Sequence, residues 1–285
     1  MTEPEFDFLR AFLKGRSGLA LSPEKRYLVE SRLAPVCERN GLAALSDLVR
    51  RLKSAADPAL ERAVVEAMAT NETFFFRDRA PFDLFRDVLL PRCLATQGAT
   101  RRIRIWCAAA STGQEPYSIA MLLKEAGPRV AGWSFEIVAT DIAGGVLEKA
   151  KAGLYSQFEV QRGLPIGILL KHFTQVGESW QLSPAIRAMV DFRPANLLQD
   201  FSRLGTFDVI FCRNVLIYFD QPTKADVLRR LAGVLNPGGG VLLGAAETVI
   251  GLSDALMPHP EHRGLYVAGR GSREAAAPLR VAAGR

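Results

Sequence analysis

The feature that most constrains this chain is residues 102–123, with the sequence RIRIWCAAASTGQEPYSIAMLL. An apolar run is followed by small residues, by Gly113, and then by apolar residues at helical spacing. Pro116 suits the first turn of a helix, where its missing N–H breaks no hydrogen bond. A strand, a glycine-bearing turn and a helix N-terminus form the usual nucleotide cradle of an open α/β sheet. The stretch therefore predicts such a ligand site or, as the alternative, an ordinary strand-to-helix turn.

Two common nucleotide-binding motifs are excluded by the spacing. The stretch follows neither GxGxxG, the dinucleotide fingerprint, nor GxxxxGK[ST], the phosphate-binding loop. A ligand at this turn would therefore be recognised by other residues.

The composition describes a globular protein with a sizeable core. The chain has 285 residues, of which 48% are hydrophobic, and a mean hydropathy of +0.08. No apolar run approaches a membrane span, and the acidic N-terminus lacks a signal-peptide pattern, so no membrane insertion is expected. Four scattered cysteines without CxxC pairs predict reduced thiols and a cytoplasmic location. Three histidines without ligand spacing predict no metal site.

The positive charge is concentrated in two segments. The formal net charge is +6, and residues 10–53 hold ten Lys or Arg against four Asp or Glu. Residues 270–285 hold four Arg and one Glu. Such segments can attract an acidic partner, although a solvated helical face is the alternative.

The residue pattern divides the chain into four parts. Residues 1–70 show helical periodicity throughout and predict a small helical domain, in which Pro35 is expected to kink or split a helix. Residues 71–90 are interpreted as an interdomain linker, and residues 91–268 as an α/β domain. Within that domain, residues 154–190 break the strand–helix rhythm and predict an inserted β-subdomain with a hairpin. Residues 269–285 are expected to be disordered.

Five further strands are predicted after the first, and Phe207–Cys212 is apolar enough to be buried on both faces. They are Phe135–Ala139, Val190–Phe192, Phe207–Cys212, Val241–Gly244 and Leu265–Ala268, the last antiparallel at the sheet edge. Ligands bind at the carboxyl ends of parallel strands in such sheets. Asp141 at the end of the second strand is therefore interpreted as a ligand for ribose hydroxyls or as a helix N-cap.

Other polar residues accompany these strand ends. Arg213, Asn214 and Tyr218 follow the fourth strand, and the linker reads TNETFFFR. Its three phenylalanines are expected to pack between the domains, which would leave its polar residues free to face a neighbouring site.

Four segments occur together in order: TNETFFFR (70–77), AAASTGQEPYSIA (108–120), ATDI (139–142) and FCRNVLIYFD (211–220). With ANLL (195–198) and the helical N-terminal part, they closely resemble the chemotaxis receptor methyltransferases of the CheR family. The resemblance implies a Rossmann-like methyltransferase sheet that uses S-adenosylmethionine, with S-adenosylhomocysteine as product. It also implies that the substrate is a glutamate side chain of a chemoreceptor.

The resemblance implies a role for each matching residue. The methionine end of the cofactor would contact Asn71, Thr73 and Arg77. Glu115 would be a direct cofactor ligand, Asp141 would bind ribose or adenosine, and Asn196 and Leu197 would bind the adenine side. Arg213 and Asn214 would close the site beneath the sulfonium. Three residues are the candidates for orienting the substrate carboxylate: Tyr218, Arg213 and Arg92.

The resemblance also implies a partner, the cytoplasmic helical bundle of a chemoreceptor. The basic N-terminal helices would dock on it through Arg26, Arg32 and Arg39, and we expect a monomer. The hairpin is short around Gly177, so tight binding of a receptor tail peptide is not expected.

The implied chemistry suits these residues, because a glutamate carboxylate is already ionised at neutral pH and needs no strong general base.

Two other functions compete with this one. A nucleic-acid methyltransferase would suit the basic surface, but amino-methylating enzymes of DNA carry [DNS]PP[YFW] where this chain has RNVLIYF, so no nucleic-acid partner is expected. A non-catalytic, cofactor-binding scaffold is the second alternative.

Overall fold

A computed structural model describes residues 1–54 and 57–269. The expected disorder of the tail concerns residues that, apart from Gly269, lie outside the described ones. In the described part of the chain, no helix is long and apolar enough to cross a membrane.

Four helices form the N-terminal part: α1 (Glu3–Ser17), α2 (Arg26–Arg39), α3 (Leu45–Ser54) and α4 (Pro58–Met68). Their apolar faces meet in one core that includes Phe6, Leu9, Leu33 and Val64. Asp57 begins α4 as its N-cap, since its carboxylate accepts the Leu60 N–H at 3.0 Å. The α2 helix continues through Pro35, so the predicted split is wrong, whereas a kink at Pro35 stays a prediction.

The remaining helices lie in the second part of the chain. They are α5 (Ala80–Leu84), α6 (Leu90–Thr96), α7 (Gln114–Glu125), α8 (Gly144–Ala152), α9 (Gln157–Gln161), α10 (Ile166–His172), α11 (Pro184–Arg187) and α12 (Gln221–Gly233). A π-helical turn, Phe85–Leu89, connects α5 to α6.

In residues 1–54 and 57–269, ten strands form two sheets. They are β1 (Arg102–Ala108), β2 (Ser134–Asp141), β3 (Leu154–Ser156), β4 (Phe173–Val176), β5 (Ser179–Leu182), β6 (Val190–Pro194), β7 (Phe207–Cys212), β8 (Leu235–Leu243), β9 (Leu256–Pro258) and β10 (Leu265–Ala268). The large sheet has the order β6-β2-β1-β7-β8-β10-β9, in which the first five strands are parallel.

The large sheet differs from the prediction in two places. β10 pairs antiparallel with β8 as expected, but it is not the edge, because β9 pairs on its outer side. β9 is three residues long and ends at Pro258, and a proline is tolerated at such an edge because its missing N–H faces no ladder. The other difference is that β8 begins at Leu235, before the predicted start, and is irregular between its pairings with Phe207 and Val209.

The first strand is buried on both faces and lies near the middle of the sheet. Ile103 and Ile105 contribute to the core on one face, whereas Trp106 and Ala108 contribute to the core on the other. This alternation is what a strand between two helical layers requires. The carboxyl ends of β1, β2 and β7 therefore lie side by side.

The insertion at 154–190 contains the small antiparallel sheet, in the order β3-β5-β4. The predicted hairpin is β4 and β5, joined by Gly177 and Glu178. Phe75 of the linker is fully buried and packs edge-on against Tyr155 and Phe173 of this insertion. The prediction that the linker phenylalanines pack between the domains is therefore wrong for Phe75, because the insertion supplies the apolar surface that covers it.

Candidate active site

A cavity of about 1050 Å³, counting the space open at its mouth, lies where the N-terminal helices meet the carboxyl ends of the parallel strands. The N-terminal part contributes apolar side chains, among them Leu19, Val65 and Met68. The linker and the ends of β1, β2 and β7 contribute most of the polar ones. The cavity therefore belongs to both parts of the chain.

The turn between β1 and α7 forms one wall. Ala109 and Ser111 line the cavity and have left-handed backbone angles, with φ of 60° and 51°. Such angles are uncommon outside glycine and cluster at functional sites. Gly113, in the same turn, serves the packing of the helices. A Cβ there would lie 2.9 Å from that of Ala150, so the glycine allows α7 to pack closely against α8.

Asp141 lies at the end of β2 and lines the cavity. Its carboxylate accepts the backbone N–H of Ser111 at 2.8 Å and that of Ala143 at 2.9 Å. Burial raises the pKa of this carboxyl, and the two N–H donors oppose that effect. A carboxylate can accept about four hydrogen bonds, so Asp141 keeps capacity for a ligand. The alternative N-cap role is not realised, because the N-cap position of α8 is Ala143.

Arg213 follows β7, and its side chain is 1% exposed. It donates to the carboxylates of Glu115 at 2.7 Å and Asp78 at 2.6 Å, and to the Arg77 carbonyl at 3.0 Å. One guanidinium therefore joins the end of β7, the start of α7 and the linker. These contacts use three of its five N–H donors, and its Nε has no partner in the described part of the chain. The expected role of Arg213 in orienting a substrate carboxylate stays a prediction.

Glu115 is buried beside this guanidinium. Burial raises the pKa of its carboxyl, whereas the charge and hydrogen bond of Arg213 lower it. The group lines the cavity, as expected for a cofactor contact, but Arg213 takes up one of its oxygens.

The linker reaches the cavity with the predicted residues Asn71, Thr73 and Arg77. Arg77 donates to the Glu72 carbonyl at 2.7 Å. Just beyond them, Phe76, Asp78 and Arg79 have positive φ angles of 53°, 67° and 49°. Such strain persists only where surrounding contacts determine the conformation. Here those contacts are Arg213 on Asp78 and the Ser118 hydroxyl, which accepts the Phe76 N–H at 3.0 Å.

Two other groups of predicted residues also line the cavity. Asn196 donates to the Arg16 carbonyl at 2.7 Å, which connects the strand ends to α1, and Leu197 lies beside it. Asn214 and Tyr218 line the cavity after β7. The described part of the chain gives the Tyr218 hydroxyl no hydrogen-bond partner.

Arg92 lies elsewhere. It is on α6, with its guanidinium about 4 Å from where a Cβ on Gly238 would be, near the amino end of β8. This is the edge of the sheet opposite to the cavity, so the structure does not support its predicted steering role. The sequence around Arg92 carried no motif that could fix its position.

The three candidate docking arginines differ in their freedom. Arg32 donates to the carbonyls of Met68 and Ala69 at the end of α4 and to Thr70. Arg26 contacts Met1, Glu3 and Glu30. Arg39 is exposed and, within the described ranges of the chain, donates only to the Pro35 carbonyl of its own helix. Arg32 therefore stabilises the end of α4, and the docking role of all three arginines stays a prediction.

Reasoning from the sequence missed Glu72, which lines the cavity, and three carboxylates that hold segments around it: Asp78, Glu66 and Glu247. Asp78 pairs with Arg213, Glu66 accepts the Gly144 N–H at the start of α8, and Glu247 binds the turn after β7. Asp78 adjoins the TNETFFFR segment, which is a signal for it. Glu66 and Glu247 lie in segments without a motif.

Comparison with known proteins gives the family. A model described as "CheR methyltransferase, SAM binding domain" matches residues 71–263, and one described as "CheR methyltransferase, all-alpha domain" matches residues 4–69. The chain belongs to the CheR methyltransferase family. It is 43% identical to "Chemotaxis protein methyltransferase 1" of Pseudomonas aeruginosa, over 88% of this chain and 92% of that protein. It is 44% identical to a protein of the same name from Vibrio cholerae, over 87% and 90%.

As a CheR family member, the chain is an S-adenosylmethionine-dependent methyltransferase of chemotaxis. The charges of the residues that line the cavity suit this cofactor. Of the charged residues that line it, three are acidic and two are basic: Glu72, Glu115, Asp141, Arg77 and Arg213. An acidic excess suits a ligand with a positive sulfonium, and the spare acceptor capacity of Asp141 suits ribose hydroxyls. Among the described residues, no group of His, Cys, Asp and Glu could hold a metal ion.

Proposed function

We propose that this methyltransferase esterifies glutamate side chains in the cytoplasmic helical bundle of a chemoreceptor. The proposal rests on which polar side chains line the cavity. Among the described residues, the Tyr218 hydroxyl has no hydrogen-bond partner, and none of those that line the cavity is a histidine. A hydroxyl donor without a base suits a nucleophile that is already ionised, which a glutamate is at neutral pH.

When bound, S-adenosylmethionine supplies an electrophilic methyl group on its sulfonium. Asp141 would hold the ribose, Asn196 and Leu197 the adenine side, and Glu115 with Asn71, Thr73 and Arg77 the methionine end. Asn214 would lie near the reacting centre. Tyr218 would donate to one oxygen of the substrate carboxylate and leave the other free to attack. Positioning the two reactants and excluding water then lower the barrier.

The test of the Tyr218 role is Tyr218→Phe. We expect kcat to fall about tenfold to a hundredfold, the value of one hydrogen bond to a charged group, while affinity for S-adenosylhomocysteine stays unchanged. Tyr117→Phe is the matched control, because its hydroxyl donates to the Ala150 carbonyl and does not line the cavity. Unchanged kcat and KM in Tyr218→Phe would refute the role.

The substrate class is tested by incubating the protein with methyl-labelled cofactor and receptor-containing membranes. A glutamate ester is hydrolysed by mild alkali, whereas a methylated nucleobase is not. Alkali-stable label in nucleic acid would support the competing substrate, and cofactor binding without transfer would support a scaffold.

The proposed docking surface is the N-terminal helical part, residues 1–70, which would bind the acidic bundle as a monomer in the cytoplasm. Arg39 is its freest predicted arginine. We expect Arg39→Ala to weaken receptor binding and added salt to weaken it further, since exposed charges are screened. Salt-insensitive binding would contradict this electrostatic contribution. Weak or absent binding of a receptor tail peptide to the hairpin stays a prediction, which a titration would check.

A further inference from the structure

The turn after β7 contains a backbone conformation that is uncommon outside glycine. Asn214 has a φ of 58°, in the left-handed region, and the turn continues through a short 3₁₀ segment, Leu216–Tyr218. Asn214, Val215 and Tyr218 all line the cavity from this turn. Whatever fixes the turn also fixes those side chains.

The carboxylate of Glu247 holds this turn. One oxygen accepts the N–H groups of Asn214 at 2.9 Å and Gly244 at 2.7 Å. The other accepts those of Val215 at 2.9 Å and Ile217 at 3.3 Å. Glu247 is 9% exposed and forms no ion pair with the basic residues that the structure describes. Backbone N–H groups therefore provide its charge-assisted hydrogen bonds.

The close approach of β7 and β8 makes this arrangement possible. A Cβ on Gly244 would lie 2.8 Å from both the Asn214 amide nitrogen and a Glu247 oxygen. Only a glycine leaves room there for the carboxylate to reach across. The sequence GAAE (244–247) thus places an acceptor between two neighbouring strand ends.

We propose that Glu247 is a positioning residue for the cofactor site. It orients the turn that carries Asn214 and Tyr218, without itself touching substrate, and it adds negative charge near Glu115. The latter effect is visible in the pKa of Glu115, which the charge of Glu247 raises. Glutamine cannot replace it, because an amide group would present its own N–H to two of the four backbone donors.

The experiment compares the wild-type chain with Glu247→Gln, using S-adenosylhomocysteine as the probe in titration calorimetry. We expect about tenfold to hundredfold weaker binding, because buried backbone donors lose their acceptor. Hydrogen exchange of the Asn214, Val215 and Ile217 amides should accelerate about tenfold or more, since local opening becomes easier. Neither measurement requires a receptor, so the inference is tested separately from the glutamate specificity.

Asp208→Asn is the matched control. Asp208 is also buried and accepts three hydrogen bonds, from Gln97, Asn236 and the Arg104 N–H, but at the other end of the same sheet. We expect it to lose stability while its affinity for the probe stays within about threefold. Equal loss of affinity in both variants at equal loss of stability would overturn the proposal, as would wild-type exchange rates in Glu247→Gln.

If Glu247→Gln does not fold, Glu247→Asp replaces it in the test. It keeps the charge but shortens the reach, so it should restore part of the lost stability while the turn still exchanges faster. In methylation assays, its kcat should fall more than KM for the receptor rises, because the displaced Tyr218 acts on the reacting group. A variant with wild-type kcat and wild-type exchange would refute the positioning role.

Discussion

Replacing Arg213 with methionine should destabilise the protein strongly. The side chain is 1% exposed, and its partner carboxylates on Glu115 and Asp78 are 11% and 39% exposed. Removing one partner of a buried ion pair costs about 3–5 kcal/mol, because the other charge stays buried without compensation. Most of that cost comes from Glu115, since water can solvate Asp78.

The assay is denaturant unfolding of the variant and the wild type, compared with Arg86→Met. Arg86 pairs with Asp83 and Asp87, but its side chain is 45% exposed. Exposed pairs contribute less than about 1 kcal/mol, so this variant controls for the loss of a guanidinium as such. A loss below about 1 kcal/mol in Arg213→Met would refute the buried-pair reasoning.

The stability that Arg213→Met loses should depend on pH, and the direction of that dependence follows from the pKa of Glu115. Burial already raises the pKa of Glu115 above its ordinary 4.5, and the loss of Arg213 removes the attraction that opposes it. At a pH between 4.5 and the raised pKa, the Glu115 carboxyl is therefore protonated in the folded variant but ionised in the unfolded chain. The stability of the variant falls as pH rises through that window. The deficit should therefore be smaller at pH 5 than at pH 8, and adding Glu115→Gln should recover part of it at pH 8.

Two further predictions concern other parts of the fold. Gly163→Ala should destabilise more than Gly177→Ala in thermal unfolding, because both have positive φ but only at Gly163 would a Cβ overlap the Phe75 carbonyl oxygen. Gly177→Ala should cost about 1–2 kcal/mol from the backbone alone, and equal losses would contradict the steric argument. The hydrogen bond from Arg104 lowers the pKa of Glu136 to about 2. Its stabilisation is thus present above pH 4.5 and lost as pH falls toward 2, so Glu136→Gln should flatten acid unfolding in that range.

The strands were the part of the fold most accessible from the sequence. Phe207–Cys212 was predicted and observed with the same bounds, and Phe135–Ala139 lies within β2. Their apolar runs are local signals, because a strand buried on both faces has no polar position. β9 has three residues and a proline, and its pairing with β10 comes from the tertiary fold, so no local pattern marks it.

The cavity was predictable to the extent that its residues end strands. Asp141, Asn214 and Tyr218 follow apolar runs, and parallel topology brings such ends together. Bonds between distant residues could not be predicted. Arg213 and Glu115 are 98 residues apart, and Arg213 also holds the linker through Asp78 and the Arg77 carbonyl.

The N-terminal helices are part of the cofactor cavity as well as a candidate docking surface. The Ala20 N–H donates to the Tyr218 carbonyl at 2.9 Å, and Asn196 donates to the Arg16 carbonyl at 2.7 Å. Glu66 of α4 binds the Gly144 N–H at the start of α8. Each contact ends at or beside a residue that lines the cavity. If a receptor docks on these helices as proposed, a shift of the helices would move the turn that carries Tyr218.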